Sequence, residues 1–441
     1  MTLTGEPGPR SIAVIGSGVA GLTAAHVLSS TARVTLYESD DRLGGHAHTH
    51  AVTMPSGATV PVDSGFIVHN DRTYPTLLRL FDELRVATQP TDMSMSVSSR
   101  ITGLEYAGAL GVSGLFPTAR NVTRPRYLLM LAEVKRFHRA ARTLLDEPDD
   151  SGRDIALAEF AEQQGFSSYF RDNFLNPLVA AVWSCDEARA ARYPARYLFT
   201  FLDHHGMLSV FGSPQWRTVV GGSISYVSAV ADEIGSRGGD VRTNAPVTRV
   251  TESDGGVEVT ADDGAGPSRF DAVVIATHPH QALGMLADAT PLRRKVLGDI
   301  TYLPKPAALH TDTSLMPRAR RAWASWNYQI RSDGDEVAVT YDLTRLMRLP
   351  TTDSRMLVTL GRTDLIDPTQ IRAEMTYEHP LYTTESVAAQ ALLPQIDSDT
   401  IVFAGAYHGW GFHEDGAASG ARAAARLGVT WGPDVTRRVM A

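Results

Sequence analysis

The most constraining feature of this chain is a glycine-rich turn between a short strand and a helix near the N-terminus. An apolar, β-branched run over residues 11–15 leads directly into Gly16-Ser-Gly18-Val-Ala20-Gly21, and a helical pattern follows over residues 22–29. A second strand-like run, residues 33–37, ends at Glu38. This order of strand, glycine turn, helix, strand and acid predicts a unit that binds a dinucleotide at the helix N-terminus.

Each glycine of the turn has a physical task. Gly16 permits the tight turn, Gly18 lets backbone N–H groups approach a pyrophosphate, and Gly21 lets the helix pack closely on the strand. Glu38 follows Gly16 by 22 residues and is placed to accept hydrogen bonds from ribose hydroxyls. Because an acid at this point repels a 2′-phosphate, the site disfavours NADP. We assign Ala20 and Ser39 to the same cofactor site.

NAD and FAD both use such a unit, so the glycines alone do not choose between them. Just beyond the acid lies Asp41-Arg42-Leu43-Gly44-Gly45. An arginine with a second glycine pair resembles the FAD-binding signature of the amine oxidase and phytoene desaturase superfamily. In that superfamily the loop runs beneath the second phosphate and the ribityl chain. The resemblance therefore implies FAD, with Arg42, Gly44 and Gly45 as contacts.

Later segments add the strands that this domain needs to complete its sheet. Residues 272–276 are apolar throughout, as in a strand buried on both faces. The other predicted strands, some joined by Asp-Gly turns, cover 241–243, 247–251, 257–260 and 401–405. A helix rich in small residues, over 414–427, suits a position packed very close to a ligand or a sheet.

The chain is therefore predicted to hold two interleaved domains. The FAD-binding domain comprises residues 1–75, 216–290 and 396–441. The substrate-binding domain comprises residues 76–215, which are mainly helical, and 291–395, which are richer in strands. The predicted fold class is α/β, with a discontinuous Rossmann-like FAD-binding domain and an inserted α+β substrate domain.

Composition narrows the classes of function. The 441 residues carry 41 basic and 49 acidic groups, a net charge of −8, so we expect no nucleic-acid partner. A single cysteine, Cys185, excludes an intrachain disulfide and a multi-cysteine metal site. No signal sequence precedes the first strand, and no run reaches the roughly 18–20 apolar residues of a transmembrane helix. We expect a cytoplasmic protein, at most peripherally associated with membrane.

Motifs along nearly the whole chain resemble those of a bacterial family of predicted NAD/FAD-binding flavoproteins. This family lies within the amine oxidase, phytoene desaturase and protoporphyrinogen oxidase superfamily. The matching motifs are Gly44-Gly45-His-Ala-His-Thr49, Val62-Asp63-Ser-Gly65-Phe66-Ile-Val-His-Asn70, Thr73-Tyr74-Pro75, Trp183-Ser184, Gln215-Trp216-Arg217-Thr218-Val219, Leu309-His310-Thr311-Asp312, Ala322-Trp-Ala-Ser-Trp-Asn-Tyr328, Gly405-Ala-Tyr and Gly409-Trp-Gly-Phe-His-Glu-Asp-Gly416.

The resemblance implies noncovalent FAD and oxidation, saturation or isomerisation at a C–H bond of a long apolar substrate. Members are often associated with cyclopropane-fatty-acid-synthase-like methyltransferases, which favours a fatty acyl or lipid substrate. Cys185 lies far from the position of the flavin-linked thiol in monoamine oxidases. The further cofactor contacts assigned on this basis are His46, Asp63, Gly65, Val247, Ala276, Thr277, Gly405, His413 and Gly416.

His413 and Glu414 are the predicted catalytic residues. By its spacing from Gly416, His413 falls where amine oxidases place an aromatic residue beside the flavin ring. An imidazole that titrates near neutrality could move a proton while hydride passes to flavin N5. In the alternative interpretation, His413 and the acids that follow it cap the N-terminus of the closing helix.

Four residues are assigned to the substrate pocket: His48, Lys305, Tyr407 and Trp410. Lys305 resembles the lysine that holds a water at flavin N5 in amine oxidases, although an exposed lysine is the commoner interpretation. His46, His48 and His50 alternate and would share one face of an extended segment. Because no acidic ligand lies nearby, flavin or substrate contact is favoured and no metal is expected.

A basic amphipathic helix over residues 124–142 has two interpretations, a solvated basic face or a surface that lies on an anionic membrane. The leading functional hypothesis is FAD-dependent desaturation of a fatty acyl or lipid substrate, with an unidentified electron acceptor. A double-bond isomerase, an amine oxidase and a flavin-free lipid-binding module are the alternatives. The oligomeric state is not predicted.

Overall fold

The computed structural model describes residues 9–148, 154–183, 187–208, 213–332, 338–350 and 354–432. Cys185, used above to argue against a thiol-linked flavin, lies outside these residues. None of the helices in those ranges combines the length and apolar character that crossing a bilayer requires.

The strands, numbered in chain order, are β1 (Ser11–Ile15), β2 (Arg33–Tyr37), β3 (Thr49–Thr53), β4 (Thr59–Asp63), β5 (His69–Asn70), β6 (Thr88–Pro90), β7 (Met95–Ser99), β8 (Glu105–Ala107), β9 (Trp216–Val219), β10 (Asp240–Arg242), β11 (Val247–Ser253), β12 (Gly256–Ala261), β13 (Ser268–Phe270), β14 (Ala272–Ile275), β15 (Tyr302–His310), β16 (Trp326–Ile330), β17 (Ala338–Asp342), β18 (Leu357–Leu360), β19 (Ile371–Pro380) and β20 (Ile401–Phe403).

The helices are α1 (Val19–Leu28), α2 (Pro75–Glu83), α3 (Gly111–Leu115), α4 (Ala119–Val122), α5 (Pro125–Asp146), α6 (Leu157–Gln163), α7 (Ser168–Phe170), α8 (Asn176–Trp183), α9 (Glu187–Ala191), α10 (Ala195–His204), α11 (Ile224–Ser236), α12 (Pro279–Met285), α13 (Pro291–Asp299), α14 (Leu343–Leu346), α15 (Thr384–Gln390) and α16 (His413–Arg426). A π-helical segment, Arg171–Leu175, joins α7 to α8.

A parallel sheet carries the dinucleotide unit. Its five strands in the described residues have the order β10-β2-β1-β14-β20. β1 pairs with β2 on one side and with β14 on the other, and every residue of β14 is buried. The sheet unites the first, middle and last parts of the chain. The predicted α/β fold with a discontinuous Rossmann-like domain is confirmed.

A second large sheet forms the substrate side of the molecule, with the order β19-β15-β18-β17-β16-β7-β8 in the described residues. β16 and β7 are parallel, and the other neighbours are antiparallel. Helices α5 to α10 contribute an aromatic core to this side, including Phe137, Phe170 and Phe199. The inserted α+β part therefore exists as predicted, while the exact domain boundaries stay a prediction.

Three details of this sheet differ from the sequence-based expectation. Residues 76–215, expected to be mainly helical, also contribute β7 and β8. β7 was missed because its buried residues are largely serines; Ser96 Oγ, for example, donates to Asn327 Oδ1 at 2.8 Å. The charged strand β19 was also missed. In the segment 322–328, whose residues alternate as in a strand and which lies in the part predicted to be richer in strands, pairing starts only at Trp326.

Helix α16 packs on helix α1, and its small residues make the close approach possible. A Cβ atom added at Gly420 would lie 2.2 Å from the carbonyl oxygen of Ala20. One added at Gly416 would lie 2.6 Å from Cγ1 of Val19. The expected close packing is therefore present, with helix α1 as the partner of Gly416 and Gly420.

This contact predicts an asymmetry between two glycine-to-alanine substitutions. Gly420→Ala places a Cβ atom against the backbone carbonyl oxygen of Ala20 and should lower the free energy of unfolding by about 1–3 kcal/mol. In the control Gly235→Ala, the new Cβ meets no atom within 4 Å on helix α11, so stability should stay level or rise by roughly 0.5–1 kcal/mol. Urea unfolding of both variants measures the difference. Equal stabilities would contradict the proposed packing.

Candidate active site

A single cavity of about 1620 Å³ runs from the glycine turn into the substrate side of the molecule. Pockets for one small ligand usually measure about 300–1,000 Å³, so this cavity has room for a dinucleotide together with a substrate. Many of the predicted site residues line it: Gly16, Gly18, Ala20, Glu38, Ser39, Arg42, Gly45, His46, His48, Gly65, Val247, Ala276, Thr277, Gly405, Tyr407, Trp410 and His413. The predicted residues outside the lining are Gly21, Gly44, Asp63, Lys305, Glu414 and Gly416.

The glycine turn forms one end of the cavity. A Cβ at Gly21 would lie 1.9 Å from the carbonyl oxygen of Gly16, so only glycine allows helix α1 to start this close to β1. A Cβ at Gly18 would have no protein atom within 4 Å, because Gly18 faces the open cavity. The backbone here is therefore accessible to a ligand, as phosphate binding at a helix N-terminus requires.

Glu38 stands at the end of β2, and its carboxylate is held by short local hydrogen bonds. The backbone N–H of Ser17 donates to Oε2 at 2.9 Å, and that of Asp40 donates to Oε1 at 3.0 Å. The Ser39 hydroxyl also donates to Oε1, at 3.1 Å. These bonds orient an acid beside the glycine turn, where a ribose hydroxyl can donate to it.

The loop after Glu38 folds back over the glycine turn. The Gly44 N–H donates to the Ser17 carbonyl oxygen at 3.1 Å, and a Cβ at Gly45 would lie 3.3 Å from Gly18 Cα. Nη1 of Arg42 and Nε2 of His46 are buried and have no hydrogen-bond partner in the described residues. Since buried donors normally have partners, these two side chains fit the phosphates and polar ring of a flavin dinucleotide.

A cluster of histidine and tyrosine rings follows in the middle of the cavity. The His46 ring centroid lies 5.0 Å from that of Tyr377 and 5.7 Å from that of His379, both on β19. Burial lowers the pKa of His379 to about 4 and that of His46 well below its usual range. The rings are therefore uncharged at neutral pH. Strand β19 was not predicted from the sequence, although the run Tyr377-Glu-His379 places polar rings on alternate positions.

His48 and His50 belong to a hydrogen-bonded chain. His50 Nε2 lies 2.7 Å from Ser64 Oγ, Ser64 Oγ lies 2.6 Å from the Tyr377 hydroxyl, and that hydroxyl lies 3.3 Å from His48 Nδ1. Burial lowers the pKa of His48 to about 3 and raises that of Tyr377 to about 12. These four groups connect the cavity wall with a partly exposed imidazole.

The nitrogens of His46, His48 and His50 do not gather as metal ligands would. In the described residues, the donor atoms that do lie within 4.8 Å of one another belong to His278, His280 and Glu378. His278 Nδ1 and Glu378 Oε2 are 2.6 Å apart, a hydrogen-bonded ion-pair geometry that already accounts for this approach.

His413 faces the cavity but differs from the predicted acid–base group. Its ring stacks on Phe66 with a centroid distance of 3.7 Å, and its Nε2 lies 3.2 Å from the Tyr226 hydroxyl. Burial lowers the pKa of His413 to about 3, so the imidazole does not titrate near neutrality. The structure therefore places a neutral imidazole in the cavity wall, and not one that titrates near neutrality, while a catalytic role for His413 stays a prediction.

Glu414 has a structural position outside the cavity. Its carboxylate accepts hydrogen bonds from the backbone N–H groups of Thr76 at 3.0 Å and Leu77 at 2.9 Å. It thereby caps helix α2, which starts with Pro75. The capping role that the sequence left open concerned the helix that begins at His413, and Glu414 instead caps α2. Because Glu414 does not line the cavity, this geometry gives no support to its predicted catalytic role, which stays a prediction.

Asp63 and Lys305 also lie behind the cavity wall. Asp63 accepts hydrogen bonds from the backbone N–H of Ser223 at 2.9 Å and from the Ser223 hydroxyl at 2.8 Å, so it anchors the start of α11. Lys305 lies on β15 near His379, whose pKa its charge helps to lower. Neither side chain lines the cavity, so their predicted contacts to cofactor and substrate stay predictions that this geometry does not support. Gly416 likewise packs on α1.

Tyr407 and Trp410 line the cavity near the start of α16. Tyr407 is fully buried, and its ring packs against Gly405. The Trp410 ring lies 6.0 Å from that of Tyr197 and 6.3 Å from that of Phe201. The rings of Tyr407, Trp410 and Phe201 therefore form one aromatic part of the cavity wall.

Beyond these rings the cavity continues as an apolar channel between helix α5 and the second sheet. The described residues that line it from the ranges 93–138 and 174–207 include no acidic side chain. The channel-lining side chains there include Met93, Met95, Val97, Leu131, Val134, Phe174, Leu178 and Val182. Gly108, Ala109, Ala132 and Lys135 line it at exposed positions, so the channel opens to the surface beside α5.

The model of the flavin containing amine oxidoreductase family matches residues 19–307, more than half of the chain. A putative flavin-containing monoamine oxidase of Mycobacterium tuberculosis is 30% identical over 292 residues. The aligned part covers 63% of this chain and 59% of that relative, so the chain spans about three fifths of the length of the relative it matches.

Solved structures with the same fold cover nearly all of the chain. Cyclohexylamine oxidase from Brevibacterium oxydans has a TM-score of 0.67 and 19% sequence identity, over 95% of this chain and 98% of that one. A structure described as a CLA-producing fatty acid isomerase from P. acnes has a TM-score of 0.66 and 17% identity, over 95% and 98%. At these identities the likeness shows a shared fold.

The geometry around Glu38 predicts the effect of removing its carboxylate. Glu38→Ala removes the ribose acceptor and should lower the affinity for FAD by about 10- to 100-fold, as expected for a hydrogen bond to a charged group. Titration of the flavin-free protein with FAD, followed by flavin fluorescence, measures this loss. Asp41→Ala, an exposed position in the same loop, is the matched control. Equal affinity in both variants would contradict the assignment.

Asp415 predicts a dependence of stability on pH. It accepts a hydrogen bond from the Phe412 N–H at 2.9 Å, and burial raises its pKa from 3.8 to about 7. Between these two pKa values the folded chain holds a proton that the unfolded chain has lost, so stability falls as pH rises through this range. Each unit of difference between the folded and unfolded pKa corresponds to about 1.4 kcal/mol in the free energy of unfolding.

Asp415→Asn keeps an acceptor for the Phe412 N–H but removes the titration. Thermal unfolding across the range from pH 4 to pH 7 should therefore give a flatter profile in this variant than in the unmodified protein. Asp288→Asn, at an exposed position, should leave the profile unchanged. A profile that Asp415→Asn does not alter would show that the carboxyl titrates alike in both states.

Proposed function

The chain belongs to the flavin containing amine oxidoreductase family and its cofactor is FAD, and we propose that it removes hydrogen from a C–H bond of a fatty acyl chain. One observation carries the proposal. The cavity does not end at the aromatic rings beside the dinucleotide site but continues as a long apolar channel to the surface. An extended hydrocarbon chain fits such a channel better than a compact polar molecule does.

The charge of the channel supports an acyl substrate over an amine. An ammonium group is normally held by carboxylates or by aromatic faces. The distal channel has no carboxylate in the described residues, and its exposed charged lining residue, Lys135, is a cation that repels an ammonium group. Lys135 instead suits the carboxylate or phosphate of a lipid at the channel mouth.

In a dehydrogenation, different residues of this chain would hold the cofactor, orient the substrate and exclude water. Bound FAD supplies the two-electron acceptor for the hydride that leaves the substrate carbon. Gly18, Glu38 and Arg42 hold the dinucleotide, while the flat rings of Phe66 and Trp410 orient the substrate and exclude water.

The second hydrogen leaves as a proton, and we assign its removal to the chain of His48, Tyr377, Ser64 and His50. Neutral His48 lines the cavity, and because its pKa of about 3 excludes a lasting imidazolium, it can only relay a proton, taking one at one ring nitrogen as it gives up another at Nδ1 to Tyr377. The hydroxyls of Tyr377 and Ser64 connect it to His50, whose ring is partly exposed. This path supports net removal of a hydride and a proton from adjacent carbons, which leaves a double bond.

Isomerisation of an existing double bond is the second candidate. It needs the same cavity, but the hydride returns to the substrate. The shared fold with the protein described as a CLA-producing fatty acid isomerase favours it. The two reactions differ in whether the cofactor stays reduced after the substrate has reacted.

Anaerobic mixing of the FAD-loaded protein with substrates tests the proposal. A long-chain fatty acid, its thioester or the corresponding phospholipid should bleach the visible flavin absorbance, and primary amines of similar length should not. Lipid analysis should find one new double bond per reduced flavin. A shifted double bond without lasting bleaching would favour the isomerase, and bleaching by amines alone would refute acyl oxidation.

A channel variant controls for binding elsewhere. Leu131→Trp narrows the channel and should slow flavin reduction by long acyl chains about tenfold or more, since a misplaced substrate reacts poorly. Thr143→Trp, at an exposed position on the same helix, should leave the rate unchanged.

A further inference from the structure

Exposed apolar side chains gather on one face of the molecule. In the described residues, the large hydrophobic side chains that are exposed are Ile101, Val112, Val122, Leu128, Leu129, Val220 and Ile224. The first five fall within a stretch of 29 residues, 101–129, and Val112 is 76% exposed. We call these five side chains the apolar face. It comprises the turn after β7, helices α3 and α4, and the first turn of α5.

Three hydrogen bonds, two of them partly buried, hold the elements of the apolar face together. The Tyr127 hydroxyl on α5 donates to the Leu115 carbonyl oxygen at the end of α3, at 2.7 Å. Nδ2 of Asn121 on α4 donates to the same oxygen at 3.2 Å. Nη2 of Arg124 donates to the Thr102 carbonyl oxygen at 2.9 Å, which ties in the turn that carries Ile101. The apolar side chains are therefore presented by one connected structure.

The mouth of the channel opens beside the apolar face. Gly108 and Ala109 line one side of it, immediately before α3 and Val112. Ala132 and Lys135 line the other side, on the helical face of α5 that also carries Leu128, because residues four and seven positions apart share one face. A molecule that covered the apolar face would therefore also cover the entrance of the channel.

Cationic side chains surround the same surface. Arg120, Arg124 and Arg126 form no ion pair in the part of the chain that the structure describes. The two nearby acids already accept hydrogen bonds from backbone N–H groups. Glu105 accepts those of Arg318 and Ala319, each at 2.8 Å. Glu133 accepts that of Ser167 at 2.8 Å. A cationic rim persists here although the chain as a whole has a net charge of −8.

We propose that the apolar face docks on an anionic lipid bilayer and that the channel receives its substrate from that bilayer. The docking itself needs only this surface, whereas the entry of an acyl chain rests on the proposed function. Aliphatic side chains enter the interface between headgroups and acyl chains, and the arginines meet the lipid phosphates. A protein partner is less suited to this surface, because the centres of protein interfaces are typically rich in aromatic residues and this face is aliphatic.

Sedimentation with lipid vesicles tests the docking. The full-length FAD-loaded protein should sediment with vesicles of equimolar phosphatidylglycerol and phosphatidylcholine, and raised salt should release it. Vesicles of phosphatidylcholine alone should bind it much more weakly. Absence of binding to both kinds of vesicle would overturn the proposal and direct attention to a protein partner.

Two double variants localise the binding. Val112→Ser with Leu129→Ser removes apolar contacts, and Arg120→Gln with Arg126→Gln removes two charges; each should weaken binding to the anionic vesicles by about tenfold or more. The matched controls are Val220→Ser with Ile224→Ser and Arg294→Gln with Arg372→Gln, which change exposed residues elsewhere. Control variants that lose binding as strongly as the test variants would overturn the proposal.

Flavin reduction separates this proposal from the proposed function. Both test variants should reduce their flavin at the normal rate with an acyl substrate in detergent, and slowly with the same acyl chain in vesicles. Normal rates on vesicles would overturn delivery from the bilayer while leaving acyl oxidation intact. Vesicle binding that depends on the apolar face would support the docking even where no acyl substrate reduces the flavin.

Discussion

The approach of Gly21 to the carbonyl oxygen of Gly16 is the contact on which the rest of the structure depends. It lets helix α1 start directly at the end of β1, with its N-terminus and the open backbone of Gly18 at the edge of the sheet. Helix α16 then lies on α1 through Gly416 and Gly420. As a result, the last part of the chain reaches the cavity that the first part begins, and His413 enters its wall.

Desolvation sets the chemistry of that cavity. Burial lowers the pKa of His46, His48, His379 and His413, so these imidazoles stay neutral at physiological pH. Neutral rings can donate and accept hydrogen bonds to a flavin without a repulsive charge. Such surroundings would suit the hydride removal proposed above, because a bound substrate would displace water from the reacting atoms. An apolar channel then extends these surroundings from the cofactor to the surface.

The predictions succeeded where backbone geometry is local and failed where neighbours come from distant strands. The unit from Ser11 to Glu38 follows from turn, helix and strand patterns within one short segment. Strands β7 and β19 were not predicted because their buried or cavity-facing residues are polar. Partners can also be distant in the sequence, since Ser96 on β7 bonds to Asn327, more than two hundred residues away. The strongest sequence pattern that could have indicated Tyr377, Glu378 and His379 as site residues is therefore the alternation of polar rings.

Residue patterns alone predicted a dinucleotide-binding unit and the return of the C-terminal part of the chain to it, because glycines and an acid at those spacings leave the backbone few alternatives. The roles of neighbouring residues became visible only in the folded chain. His413 and Glu414 are adjacent on α16, but successive helical residues point about 100° apart. One therefore stacks on Phe66 inside the cavity, and the other caps α2 outside it. Which direction each one takes depends on what packs against the helix, and this information comes from other parts of the chain.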